Sequence, residues 1–243
     1  MQATKTLPVK LILAENIVTN KELFKDRKRT NFLKSSEQVA LYFLVKRIPS
    51  FITPNILTGI GFAGSCMVLL SFILASYVNH YYLLLGIAGL LINWFGDSLD
   101  GRVAYYRNIP RKWYGFSLDV IMDWTSIVFM GLGFIVYAKE MYELLAFSFV
   151  ALYGWSMIIT QLRYKITDKY TIDSGNIGPT ELRVIISFLL LMEILVPGSI
   201  NYCVLLICFI LFVVNLIDTK KLLNLGDLKD EVEKSKKNSF NEI

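Results

Sequence analysis

Four aspartates, Asp97, Asp100, Asp119 and Asp123, stand inside otherwise apolar stretches of this chain. A carboxylate at membrane depth costs at least a few kcal/mol on insertion scales, so four of them require a chemical reason. Residues three and four apart share a helix face. Asp97, Asp100 and Ala104 therefore fall near one face of one helix, and Asp119 and Asp123 lie one turn apart on the next. If the connection around residues 105–114 turns back sharply, the two faces meet and four carboxylates converge in one pocket. Left alone they would repel one another. A divalent cation is the simplest way to keep them charged, and aspartate oxygens suit hard ions such as Mg²⁺ or Mn²⁺. Four carboxylates exceed what one Mg²⁺ usually takes from protein, so a pair of ions fits better. A two-metal site clamps phosphate oxygens, and one carboxylate is free to act as a general base. Gly101, Ala104 and Gly115 lie among the acids, where small side chains let a bulky diphosphate approach the backbone. Single aspartates at helix ends would be read as facing water by chance. Four at this spacing, with glycines between them, weigh against that.

Other chemistries lack raw material. The single histidine, His80, falls in a short loop between apolar blocks. Cys66, Cys203 and Cys208 lie within apolar spans, with no C-x-x-C pairing. A Ser-His-Asp mechanism or a His-rich metal site therefore has no raw material near the acids, and the cysteines read as small membrane-buried side chains rather than disulfide or zinc ligands.

The elements that must position the acids follow from composition. The 243 residues are 54% hydrophobic and only 19% charged, with a mean hydropathy of +0.49. The apolar residues come in blocks of about 20, the length that matches the hydrocarbon thickness. We expect an all-α integral membrane protein with six spans, near 56–78, 82–104, 114–138, 142–166, 179–197 and 200–222. Ser36 to Ile48 is too short and too charged to span. Its Val39, Leu41, Tyr42, Leu44, Val45 and Ile48 recur at helical spacing, which predicts an interfacial amphipathic helix ended by Pro54. The domain plan is a basic segment over 1–35, a membrane domain over 36–222 and a charged tail over 223–243, disordered or frayed helix. Residues 1–20 alternate in a strand-like way.

The net charge of +5 is concentrated ahead of the first span. That placement fits anionic headgroups and topology rather than nucleic acid. Arg102, Arg107, Arg111 and Lys112 fall in or beside the second-to-third connection, and Arg163, Lys165 and Lys169 in the fourth-to-fifth. With six spans these lie on one side, so a multi-pass protein with both termini and the acids facing the cytoplasm is expected.

"D-x2-D-G-x2-A" followed by "G-x3-D-x3-D" resembles the signature of the CDP-alcohol phosphotransferase (CDP-alcohol phosphatidyltransferase) family. "TPNILTGIGFAGS", Thr53 to Ser65, is similar to its Pro-Asn-x-x-Thr segment. The resemblance covers roughly residues 36–222. It implies a phospholipid-synthesising enzyme that moves a phosphorylated alcohol from a CDP carrier to an acceptor hydroxyl and releases CMP. It further implies that Asp97, Asp100 and Asp119 hold a pair of Mg²⁺ or Mn²⁺ ions, with Asp123 sharing in metal binding and acting as base. Gly101, Ala104 and Gly115 would line the CDP site with Asp97, and Asn55 and Thr58 would lie near the nucleotide. A homodimer is implied in the same way. The chain departs from the signature where the family's Arg after Ala is Tyr105, and its spacer to Gly115 is one residue longer. Arg107 or Arg102 is the expected replacement charge for the CDP site.

Arg111, Lys112, Arg163 and Lys165 are candidates for a basic pocket suited to an acceptor that already carries phosphate, such as inositol phosphate or glycerol phosphate. The donor would then be CDP-diacylglycerol or a related CDP-lipid. "GNIGPTELR", residues 175–183, places Glu181 and Arg183 in the first turns of the fifth span. It looks like the Gly-Pro-x-Glu stretch of choline and ethanolamine phosphotransferases, in which CDP-choline or CDP-ethanolamine reacts with a lipid hydroxyl. Either way, one of the two alcohols is a lipid. A cation transporter is the competing class. It would place acids near the bilayer midplane, whereas here they lie toward the ends of two adjacent spans beside a basic connection.

Overall fold

The computed structural model describes residues 34–138, 140–167 and 179–241. Among them the regular elements are all helices, with no strand. The helices are α1 (Lys34–Val45), α2 (Pro54–Tyr77), α3 (Leu83–Tyr106), α4 (Lys112–Tyr137), α5 (Glu143–Thr167), α6 (Pro179–Leu195) and α7 (Ser199–Asn241). Short 3-10 turns precede α3 and α5. The strand-like reading of residues 1–20 lies outside the described residues.

Local chemistry sets the helix ends nearest the acids. The Thr53 side chain accepts the N–H of Ile56 at 3.2 Å, and Pro54 occupies the first turn of α2. In this cap-then-proline start the threonine satisfies one orphan donor and the proline removes another. At the far end of α3 the N–H of Ile109 bonds to the Ala104 carbonyl, and that of Asn108 to Tyr105, both at 3.0 Å. Asn108 has a φ of 55°. This is a Schellman stop, with asparagine in the left-handed position and Pro110 beyond it to forbid continuation. The chain thus reverses within residues 107–111, and α4 runs back along the bundle.

Helices α2 and α3 touch backbone to backbone. A Cβ added to Gly96 would stand 2.3 Å from the Gly61 nitrogen and 2.4 Å from the Leu57 oxygen. One added to Gly64 would stand 2.5 Å from the Asn93 nitrogen. Small residues permit such contact inside a membrane, where dispersion and polar contacts rather than the hydrophobic effect hold helices together. On one side Leu41 and Val45 of α1 pack with Leu57, Leu99 and Val103. Deeper in the bundle Val68, Phe72, Leu83, Leu90, Phe134 and Leu190 form the main core.

Two spans differ from expectation. Among the described residues, five helical stretches are long and apolar enough to cross a membrane, and the expected fifth span is not among them. Helix α6 has 17 residues, about 26 Å at 1.5 Å per residue against a hydrocarbon core of about 30 Å. It stops at Leu195 because Pro197 disfavours helix in the residue before it. Glu193, 2% exposed, accepts hydrogen bonds there from the Tyr137 hydroxyl at 2.7 Å and from the N–H groups of Gly198 and Ile200 at 2.8 Å. It therefore satisfies the first amides of α7 from the preceding helix. Helix α7 continues beyond the expected end of the last span near 222, through the charged tail, as one helix to Asn241.

Candidate active site

The Schellman turn does what the acid spacing requires. It brings the C-terminal half of α3 against the N-terminal half of α4. Carboxylate oxygens of Asp97, Asp119 and Asp123 then lie within 4.8 Å of one another, all three partly buried. Asp100 joins them in lining one small cavity, with Thr58, Asn93 and Ser126 among its other walls. The Thr58 hydroxyl donates to Asp100 Oδ2 at 2.6 Å, tying α2 to the cluster. A donor set made only of carboxylate oxygens, converging from two helices, fits hard divalent ions and not soft ones.

A larger cavity, open to solvent, adjoins the acids. Of the residues expected near the nucleotide, Thr58, Gly101, Ala104 and Gly115 line it, together with Asp100 and Asp119, whereas Asn55, Asp97 and Arg107 do not. A Cβ on Gly101 or Gly115 would meet nothing within 4 Å. Those two glycines face open space, unlike Gly64 and Gly96, which are needed for packing. An aromatic wall of Tyr105, Trp113, Tyr114, Phe116 and Tyr164 completes the cavity.

A second cavity reaches the cluster from another side. Its polar walls are Asp123, Asn93, Ser65, Ser126, Tyr153 and Arg183. The rest are aliphatic or thioether side chains, including Val68, Leu90, Ile127, Met130, Leu182 and Ile186. A polar relay runs along this wall. Ser65 donates to Ser126 at 2.7 Å. Asn93 Nδ2 donates to Ser65 at 3.0 Å and to the Gly61 carbonyl at 3.1 Å. Those donors fix the amide so that Asn93 Oδ1 accepts from Arg183 Nε at 2.7 Å, while Arg183 Nη2 meets Asp97 Oδ2 at 2.7 Å. Sequence reasoning missed Asn93, Ser65 and Ser126. The signal was helical spacing: Asn93 is one turn before Asp97, Ser126 one turn after Asp123, and Ser65 two turns after Thr58.

The basic residues, expected to gather in one pocket, are separated. Arg111 and Lys112 line the larger cavity, beside the glycines. Arg111 donates to Asn55 Oδ1 at 2.5 Å and lies 4.0 Å from the Tyr114 ring centroid. Arg183 lies at the second cavity, paired with Asp97. Arg163 points to Asp218 of α7 at 3.7 Å. Lys165 is exposed, and Glu181 is half-buried in the first turn of α6. Arg107 is turned away from the diphosphate position expected of it. Its guanidinium donates to the carbonyls of Ile48, Pro49 and Ile52 at 3.2, 2.8 and 2.6 Å, clasping the turn that leads from α1 to α2. Arg102 is buried at 9% exposure and does not line the larger cavity.

A family model described as CDP-alcohol phosphatidyltransferase matches residues 51–216, from the turn before α2 into α7. No curated protein matches the chain.

Proposed function

The chain belongs to the CDP-alcohol phosphatidyltransferase family, whose reaction is transfer of a phospho-alcohol from a CDP-alcohol, and on that premise we propose how its residues divide the work. The observation that carries the reading is the convergence of four acids from α3 and α4 between two cavities. The CDP-alcohol occupies the larger cavity, its diphosphate against Gly101, Ala104 and Gly115. The acceptor hydroxyl arrives from the second cavity, where Asp123 is the acid that meets it. Asp123 takes the hydroxyl proton. The freed oxygen bonds to the phosphorus of the phospho-alcohol as the bond to CMP breaks, and CMP leaves with that electron pair. Arg183, held by Asn93, keeps the Asp97 carboxylate oriented. Asp97, Asp100, Asp119 and Asp123 would hold two Mg²⁺ or Mn²⁺ ions, which supply neutralisation of charge on the diphosphate oxygens.

Cavity chemistry bears on the two alcohols. Trp113, Tyr114, Ile109 and Leu118 beside Arg111 and Lys112 give the larger cavity an amphiphilic wall. That supports a CDP-lipid donor such as CDP-diacylglycerol with a polar acceptor such as inositol phosphate or glycerol phosphate. One observation favours the reverse pairing, a CDP-choline or CDP-ethanolamine donor with a lipid hydroxyl. The second cavity is largely aliphatic and its cation, Arg183, is already paired. The protein would sit in the membrane with α6 as a sixth crossing and its acids toward the cytoplasm, as a homodimer. Val39, Phe43 and Phe51, all exposed beside Lys46 and Arg47, suit α1 to the headgroup region.

The test is CMP release by purified protein in detergent. CDP-diacylglycerol is offered with inositol phosphate, glycerol phosphate, inositol and serine; CDP-choline and CDP-ethanolamine are offered with diacylglycerol or ceramide. One active pair assigns the substrates. Undiminished release by folded Asp97→Asn or Asp123→Asn protein would overturn the mechanism. Divalent-ion uptake into liposomes without any turnover would establish a transporter instead.

A further inference from the structure

We infer that Arg111, preset by Asn55 and Tyr114, is the protein's cation for the donor diphosphate, in place of Arg107 or Arg102. The inference rests on the larger cavity being the CDP site. A diphosphate placed against Gly101 and Gly115 would stand beside Asp100 and Asp119, so it needs positive charge from the protein as well as from ions. Among the described residues the cations lining that cavity are Arg111 and Lys112.

Their geometry separates the two. Lys112 rides 5.3 Å above the Trp113 ring, a compact ammonium on a flexible stem. Arg111 is fixed at two points. One N–H of its fork goes to Asn55 Oδ1 at 2.5 Å, and its face lies 4.0 Å from the Tyr114 ring centroid. Stacking occupies the face of a guanidinium and leaves its edge donors free. The remaining N–H groups keep the planar fork that matches phosphate oxygens in pairs. Arg107 has no such freedom, since carbonyls of the α1–α2 turn take up its fork. The longer spacer and Tyr105 now have one account. The charge has moved from the end of α3 to the start of α4, across the Schellman turn, and Asn55 of α2 holds it over the cavity. Asn55 is thus a positioning residue acting through Arg111.

Calorimetric binding of CDP and CMP to the full-length protein with Mg²⁺ tests this without turnover. Wild type should bind CDP more tightly than CMP. Arg111→Gln should weaken CDP on the order of ten-fold, the scale of a charge-assisted hydrogen bond, and bring the CDP-to-CMP preference toward one. Arg111→Lys should fall between, and Asn55→Leu should lose several-fold for CDP with thermal stability close to wild type. Retention of the preference in folded Arg111→Gln protein, or its loss in folded Arg107→Gln protein with Arg111 unchanged, would overturn the inference. Failure of wild type to bind CDP at all would instead overturn the assignment of the cavity.

Discussion

Gly96→Ala and Gly101→Ala add the same methyl group to the same helix, five residues apart, and should have opposite consequences. At Gly96 the new Cβ would lie 2.3 Å from the Gly61 nitrogen and 2.4 Å from the Leu57 oxygen, both backbone atoms that no rotamer change can move aside. Ordinary contact begins near 3.4 Å, so α2 and α3 must part by about 1 Å. Overpacking of this kind costs roughly 1–3 kcal/mol, a Tm loss on the order of 2–10 °C for a domain of this size. The same displacement acts on the link between Thr58 and Asp100, now 2.6 Å, and takes it to about the hydrogen-bond limit near 3.5 Å. The kcat of CMP release should therefore fall along with stability. At Gly101 the methyl meets nothing within 4 Å, so the protein itself has no reason to shift. Alanine is also the better helix former by up to about 1 kcal/mol, and Tm should hold or rise slightly. The methyl does enter the larger cavity between Asp100 and Ala104. The KM for the CDP-alcohol should rise about ten-fold, the effect of a lost close approach worth about 1.4 kcal/mol. Thermal unfolding in detergent and steady-state CMP release, measured on both variants, decide the matter. An unchanged Tm in Gly96→Ala would refute the backbone contact of α2 with α3. An unchanged KM in Gly101→Ala would refute the placement of the donor.

Three further outcomes are expected. Asn93→Leu should lower kcat on the order of ten-fold with both KM values within about two-fold, because the relay orients Asp97 through Arg183 and binds no substrate; a rise in acceptor KM with kcat unchanged would make Arg183 an acceptor grip instead. Glu193→Leu should destabilise by about 1–3 kcal/mol, since the half-buried Tyr137 hydroxyl and the amides of Gly198 and Ile200 lose their acceptor; the substrate KM values of the folded fraction should not move, as the residue lies at the opposite end of the bundle from the acids. Chelation of divalent ions should abolish CMP release and Mg²⁺ or Mn²⁺ should restore it, whereas activity that survives chelation would exclude the two-ion reading of the carboxylates.

The acids and their helices were legible in the sequence because the relevant signals are local. Apolar blocks of membrane length and spacings of three and four between aspartates act within a few residues of themselves. Four carboxylates in hydrocarbon also leave few chemical options, which is why residue types alone pointed to divalent ions and phosphate. The destinations of the long cationic side chains were not legible. Arg107, Arg111, Arg163 and Arg183 look alike in a sequence, and each reaches several ångströms to whichever acceptor the packing presents. One clasps a turn, one lines the larger cavity, one joins α7 and one pairs with Asp97. Likewise Gly64 and Gly96 differ from Gly101 and Gly115 only in whether another backbone stands opposite. The sequence by itself determined the apolar blocks and the spacing of the acids. Only the tertiary structure decided which charges and which glycines line a cavity and which pack within the fold, because that depends on neighbours far away in the chain.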